Sequence, residues 1–145
     1  NRIVRPDGFE IPKEASAVHG ITTERALQEG EALLDVIYAF GADLNQSQLV
    51  VGHNLDYDLH ILGAEYVRLG YDSRIMFARP TLCTMLATID FCQIPGNFGY
   101  KWPKLMELYT KLFGQEFDGA HDAMADIRAT KDCFFELLKR GIVRL

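Results

Sequence analysis

An α/β fold is predicted for this 145-residue chain by three features. Short β-branched runs read as strands, amphipathic segments with helical spacing alternate with them, and Gly, Pro and Asn mark the junctions. The length corresponds to a single domain spanning residues 1–145, large enough to bury a core. A hydrophobic content of 48% with 24% charged residues is ordinary for a soluble globular protein. The net charge of −5 argues against an electrostatically driven nucleic-acid binder. It leaves a nuclease open, because an acidic cleft is neutralised by the cations it holds. Cys83, Cys92 and Cys133 form no CxxC pair and read as reduced core thiols, which fits a cytoplasmic setting. Neither a signal peptide nor an apolar run of membrane-spanning length is found.

Taken in order, "IVR" before Pro6 predicts a strand, and residues 6–20 a loop punctuated by Pro6, Gly8, Pro12 and Gly20. Thr22 or Thr23 caps a short helix through Leu27, and "EALLDVIYAF" is an amphipathic helix with Leu33, Leu34, Ile37 and Phe40 on one side. "QLVVG" is a buried strand, followed by a helix over Leu55–Leu69 that Gly70 stops. Residues 71–78 suggest an edge strand, 81–92 a helix and 93–100 a loop. Pro103 suits the first turn of a helix through Phe113, and the last helix covers 122–140. One or two strands are too few to support six helical segments. With a chain that opens at Asn1 directly on "NRIVRP", the expectation is that strands precede it.

Chemistry-bearing residues fall in two clusters. In "GAHDAMADIRAT" the last helix has an apolar stripe of Ala123, Ile127, Thr130, Phe134 and Leu137. A neighbouring stripe of Asp122, Asp126, Ala129 and Cys133 lies at the edge of the core. Asp122 reads as the N-cap, with a catalytic role as the other option. Asp126 sits a turn inside between Ala125 and Ile127, where a carboxylate needs a cation. His121 falls just outside the helix and can swing towards whatever Asp126 holds. The second cluster, "VVGHNLDYDLHIL", runs a strand into a helix start with Asn54 as cap, the place where ligands gather in open α/β sheets. Asp56 and Asp58 lie in the first turn, which the helix dipole alone would also explain. His53 and His60 read as packing or surface residues, and no HExxH spacing suggests zinc. Two acidic clusters about 65 residues apart are what a pair of hard divalent cations requires.

"HNLDYD" resembles the second motif of the DEDDh-type 3′→5′ exonucleases, and "HDAMAD" the third, with its histidine-x-alanine-x-x-aspartate spacing. "IPKEASAVHGIT" is similar to the loop that precedes these motifs in the proofreading subunits of bacterial DNA polymerases. The resemblance covers essentially the whole chain, with three motifs in order. It implies an RNase H-like α/β exonuclease fold, a mixed sheet flanked by helices, with the first two strands missing from this chain. It implies Asp58 and Asp126 as ligands of two divalent ions, Mg²⁺ or Mn²⁺, and His121 as general base. Glu14, Val18, His19 and Asn54 would bind the terminal nucleotide. The partner implied is a nucleic-acid 3′ end, single-stranded DNA, with polymerase subunits as possible associates and no membrane. The family's first motif, Asp-x-Glu, supplies two further carboxylates and is absent; Asp7 and Glu10 have the wrong spacing. Cys83 stands where many relatives carry aspartate. This chain alone is therefore expected to be inactive.

Three residues have two readings: Trp102 as core with Lys101 and Lys104 solvated, or all three as contacts to a strand by stacking and charge. Two rival functions also stand. A catalytically dead nucleic-acid-binding or scaffolding subunit needs no complete site. An HD-type phosphohydrolase would use the His121-Asp122 pair with Asp122 as ligand on an all-helical fold, against which the strand "QLVVG" counts.

Overall fold

Pro12 and Gly20 bracket a helix where the sequence reads as a loop. In the computed structural model, which describes residues 1–145, α1 (Lys13–His19) begins after Pro12. It ends where Gly20 turns left-handed (φ 71°) and donates its N–H to Ser16 O. Nothing in "KEASAVH" breaks a helix, but none of its residues is buried, so no apolar periodicity announces it. α2 (Thr23–Glu29) is capped by Thr22, whose Oγ1 accepts from Arg25 N at 3.2 Å, which decides between the two threonines.

At Gly30 a Cβ would lie 2.2 Å from Ala26 O and 2.8 Å from Arg5 N, so only glycine lets the chain pass. The next residue makes one parallel bridge, Val4 to Glu31, and this bridge is all that forms of the predicted "IVR" strand. Its partner segment turns at once into α3 (Leu33–Gln46), leaving no length for a ladder. Ala26, Ile37 and Leu44 are buried here, whereas Leu34 faces outwards, so the apolar face is narrower than the predicted stripe. These elements, residues 1–47 with His121–Ala123, make up one compact unit.

The second unit, residues 48–120 with 124–145, holds the sheet. β1 (Val50–Gly52) runs into α4 (Leu55–Arg68). Residues 73–77 form a 3₁₀ turn rather than an edge strand: Asp72 caps it by accepting from Arg74 N, and it packs where α4 offers Gly63 beside Ser73 and Phe77. The predicted helix over 81–92 is divided. β2 (Thr81–Cys83) pairs in parallel with β1 in the register Val50–Thr81, Val51–Leu82 and Gly52–Cys83. Two short helices follow, α5 (Thr84–Ala87) and α6 (Ile89–Cys92). They part at buried Thr88, whose hydroxyl donates back to Thr84 O at 2.7 Å. Residues 93–100, expected as a loop, contain a small antiparallel hairpin of β3 (Pro95–Gly96) and β4 (Gly99–Tyr100).

α7 (Leu105–Phe113) starts two residues after Pro103, and α8 (Ala123–Lys139) closes the unit. Cys92, Leu108, Leu112, Cys133, Leu137 and Val143 form its core. On α8 the buried residues are Ala129, Thr130, Cys133, Phe134 and Leu137, while Ile127 is 65% exposed. The inward face is therefore centred one position away from the predicted stripe, and it carries Asp126 closer to the core. No helix is long and apolar enough to cross a membrane.

Candidate active site

β1 ends at Gly52, and the backbone turns sharply at Asn54, which is left-handed (φ 64°). Asn54 stands at the N-cap of α4 but makes no side-chain cap bond, contrary to expectation. A capping side chain needs an extended backbone to reach the amides of the first turn, and the left-handed one directs it elsewhere. A non-glycine residue held there is a local strain of the kind that accumulates at functional sites.

His53 anchors this turn. Its Nε2 is 3.0 Å from Pro103 O and its Nδ1 is 3.0 Å from Thr84 Oγ1. A carbonyl only accepts, so Nε2 donates to Pro103 O, while the Thr84 hydroxyl beside Nδ1 donates to Gly52 O at 3.1 Å. One ring thus joins the end of β1, the start of α5 and the approach to α7. Burial lowers the His53 pKa; the bond to Pro103 and the charge of Asp126 oppose that shift. The field of Asp126, from α8, therefore reaches the turn after β1.

The two aspartates of α4 differ. The Asp56 side chain is 82% exposed and sits 3.4 Å from His60 Nδ1. The Asp58 carboxyl is pushed above the ordinary carboxylate range, with desolvation as the sole cause. No protein cation offsets it. Asp126 is half-buried in the first turn of α8, next to buried Ala129 and Thr130. Asp122 immediately precedes α8.

His121 is exposed with φ 75°, and Gly119 has φ 79°, so the chain makes two left-handed turns just before the helix. Glu14, Val18 and His19 are all on α1; Glu14 and Val18 share a face, Val18 is exposed, and His19 Nδ1 accepts from Ile21 N at 3.1 Å. These three and His121 belong to the first unit, and Asn54, Asp58 and Asp126 to the second.

No three His, Cys, Asp or Glu side chains converge in an arrangement able to hold a metal ion. The donor set of these 145 residues therefore does not fit a complete two-ion centre, although Asp58 suits a single ligand of one. A cavity of about 170 Å³ lined by Tyr109, Phe117, Arg128 and Asp132 among others includes none of the candidate residues. Trp102 is 62% exposed, which rules out the core reading. Sequence reasoning also passed over Thr84 and Pro103, the partners of His53. Their only signal is position, one just after a strand and one just before a helix.

A parallel β1–β2 pair flanked by helices defines an α/β domain and excludes the all-helical phosphohydrolase reading. The family described as Exonuclease, of the RNase T type, matches residues 1–134, and the chain belongs to it. It is similar to the uncharacterized exonuclease CP81 of Escherichia phage 186, with 32% identity over 97% of this chain and 73% of that protein. It is also similar to the DNA polymerase III epsilon subunit of Aquifex aeolicus, with 27% identity over 91% of this chain and 60% of that subunit. In fold it matches exonuclease I, with a TM-score of 0.77 and 21% identity over 95% of this chain. E. coli exonuclease I in complex with a dA16 oligonucleotide gives a TM-score of 0.74 at 22% identity over 94% of this chain. The chain spans 32% of the length of each of these two exonuclease I chains. The fold is that of the RNase H-like exonucleases.

Proposed function

We propose that the domain belongs to a 3′→5′ exonuclease acting on single-stranded DNA ends and releasing nucleoside 5′-monophosphates. The observation that carries this reading is Asp58, a desolvated carboxyl at the carboxyl end of the sheet with no cation of the protein beside it. Asp58 stays exposed on the first turn of α4 while losing part of its hydration, so a cation from outside can reach it. Two divalent ions, Mg²⁺ or Mn²⁺, would supply charge neutralisation at the phosphate, and Asp58 and Asp126 would be two of their ligands. His121 takes the proton from the attacking water. The water oxygen bonds to phosphorus as the bond to the departing 3′ oxygen breaks, and a new 3′-hydroxyl is left behind. A histidine suits this role because its ordinary pKa lies close to working pH. Glu14, Val18, His19 and Asn54 would hold the terminal nucleotide, and polymerase subunits are the proposed partners, in keeping with the epsilon subunit among the relatives.

Residues 1–145 contain no Asp-x-Glu, so this chain by itself should release little or no mononucleotide. The test follows Mg²⁺-dependent mononucleotide release from a labelled oligonucleotide, using the protein as its gene encodes it. His121→Ala and Asp126→Asn are each expected to lower the rate at least about 100-fold, the low end for loss of a general base. Retention of activity in either variant would overturn the assignment.

A second reading, nucleic-acid binding without catalysis, is favoured by the absence of a converging ligand set. Calorimetric titration with Mn²⁺ separates the two, since a competent site takes up two ions and a dead one none.

A further inference from the structure

Three aromatic side chains, none of them in an aromatic pair, stand out within five residues. Phe98 at the hairpin turn is fully exposed, Tyr100 is 49% exposed and Trp102 is 62% exposed. The extended path continues past β4, since Lys101 N donates to Ile94 O at 2.9 Å. Alternate residues of an extended strand share a face, so Tyr100 and Trp102 project together, about 7 Å apart along the chain. Lys101 turns to the other side and pairs with Glu107 at 2.6 Å. We propose that this aromatic hairpin is a stacking platform for the bases of single-stranded nucleic acid, with Tyr100 and Trp102 flanking one base and Phe98 extending the surface.

Spacing, charge and anchoring agree on that occupant. A gap of about 7 Å is twice the roughly 3.4 Å rise between stacked nucleotides, so one base fits between two rings. Residues 93–106 include Lys101 and Lys104 and no acid, in a chain with 20 Asp and Glu. Glu107, the first acid beyond, is occupied by Lys101 Nζ and by the Lys104 backbone N–H at 2.7 Å. Phosphates therefore meet a local excess of positive charge on an otherwise acidic chain.

The platform is also fixed in place. Pro103 is buried, and its carbonyl accepts the His53 bond, so the backbone one residue from Trp102 is tied to the turn that leads to Asp58. A base stacked there belongs to the strand that threads towards the candidate site. The proposal rests on the exonuclease reading for that direction, and on the hairpin alone for the binding.

The test measures anisotropy of a labelled dT oligonucleotide about eight nucleotides long, without divalent ions so that nothing is cleaved. Trp102→Ala and Tyr100→Ala are each expected to weaken binding about 5- to 150-fold, the range for loss of one stacking aromatic. Trp102→Phe should retain most of the affinity, while Trp102→Leu, which keeps apolar area without a ring, should not. Unchanged affinity in both alanine variants would overturn the proposal, and so would equal affinity of the Phe and Leu variants, the result expected of a merely apolar protein-docking patch. A separate assay, with Mg²⁺ and the protein as its gene encodes it, follows hydrolysis of the p-nitrophenyl ester of thymidine 5′-monophosphate. That ester is too short to span from site to hairpin and so reads the site apart from the platform. Loss of oligonucleotide affinity in the alanine variants, with no ester hydrolysis by the unsubstituted gene product, would sink the exonuclease reading and leave the platform standing.

Discussion

At the residue scale, Asp58 shows how function is set against stability. Desolvation raises its folded-state pKa above the unfolded value of 3.8. Such a group stabilises the fold fully below the unfolded pKa, and the benefit is lost as pH rises through the folded pKa. At neutral pH the charged Asp58 is therefore a cost to the folded chain. Asp58→Asn, which removes the charge and keeps the shape, is expected to raise the melting temperature at pH 7 while abolishing mononucleotide release. The gain over the native residue should shrink as pH is lowered, because Asp58 itself becomes neutral. Thermal melts at pH 7 and pH 4 check this, and a lower melting temperature for the variant at pH 7 would refute it. The choice of Asp58 over Asp56 as the proposed ligand comes from the resemblance that "HNLDYD" carries. Helical position alone does not separate them, because both lie in one turn and only packing decides which carboxyl loses part of its hydration.

At the scale of elements, the His53 clamp joins β1, α5 and the approach to α7, and its pH behaviour has the opposite sign. Burial holds the imidazole pKa below 6.5, so the folded state prefers the neutral ring. Its contribution is present above about pH 6.5 and is lost as pH falls below that value, where the unfolded chain binds a proton that the folded one resists. The melting temperature is expected to decline from pH 7 to pH 5, and to decline less in His53→Gln, which has no titrating ring. Equal slopes in the two proteins would show that His53 is not the titrating group. The long helices α4 and α8 were readable because apolar spacing and their bounding residues agree. α1 was missed because it buries nothing, and β2 because "TLC" has no strand signal apart from its partner β1. Ile127 was assigned to the core and is exposed, since apolar spacing fixes a stripe only to within one position around the helix. Of the aromatic hairpin the sequence offered a loop over 93–100 and two readings of Trp102, and the exposure of its ring decides against the core.

At the scale of the whole molecule, the two compact units differ in what holds each together. In the second, Leu108, Cys133 and Leu137 are fully buried and belong to one core with Cys92, Leu112 and Val143. Cys133 is sealed deeply enough that burial pushes its thiol pKa up to about 12. In the first, the buried apolar side chains are Pro6, Ala26, Ile37 and Leu44, and α1 contributes none. Local opening free energy follows the apolar area that must be exposed. Amide hydrogen exchange is therefore expected to be fastest in residues 13–19, intermediate in α3 and slowest in α7 and the carboxyl half of α8. The prediction has a functional edge, since Glu14, Val18 and His19 all lie on α1. If these residues hold the terminal nucleotide as proposed, a helix that pins no core side chain opens readily when free, and binding must supply the free energy of holding it closed. Adding a thymidine mononucleotide should slow exchange in residues 13–19 and leave the α7 and α8 core unchanged. Protection of α1 equal to that of α8 in the free protein would show that α1 is held by something other than its own packing, and the binding-coupled ordering would then have no basis.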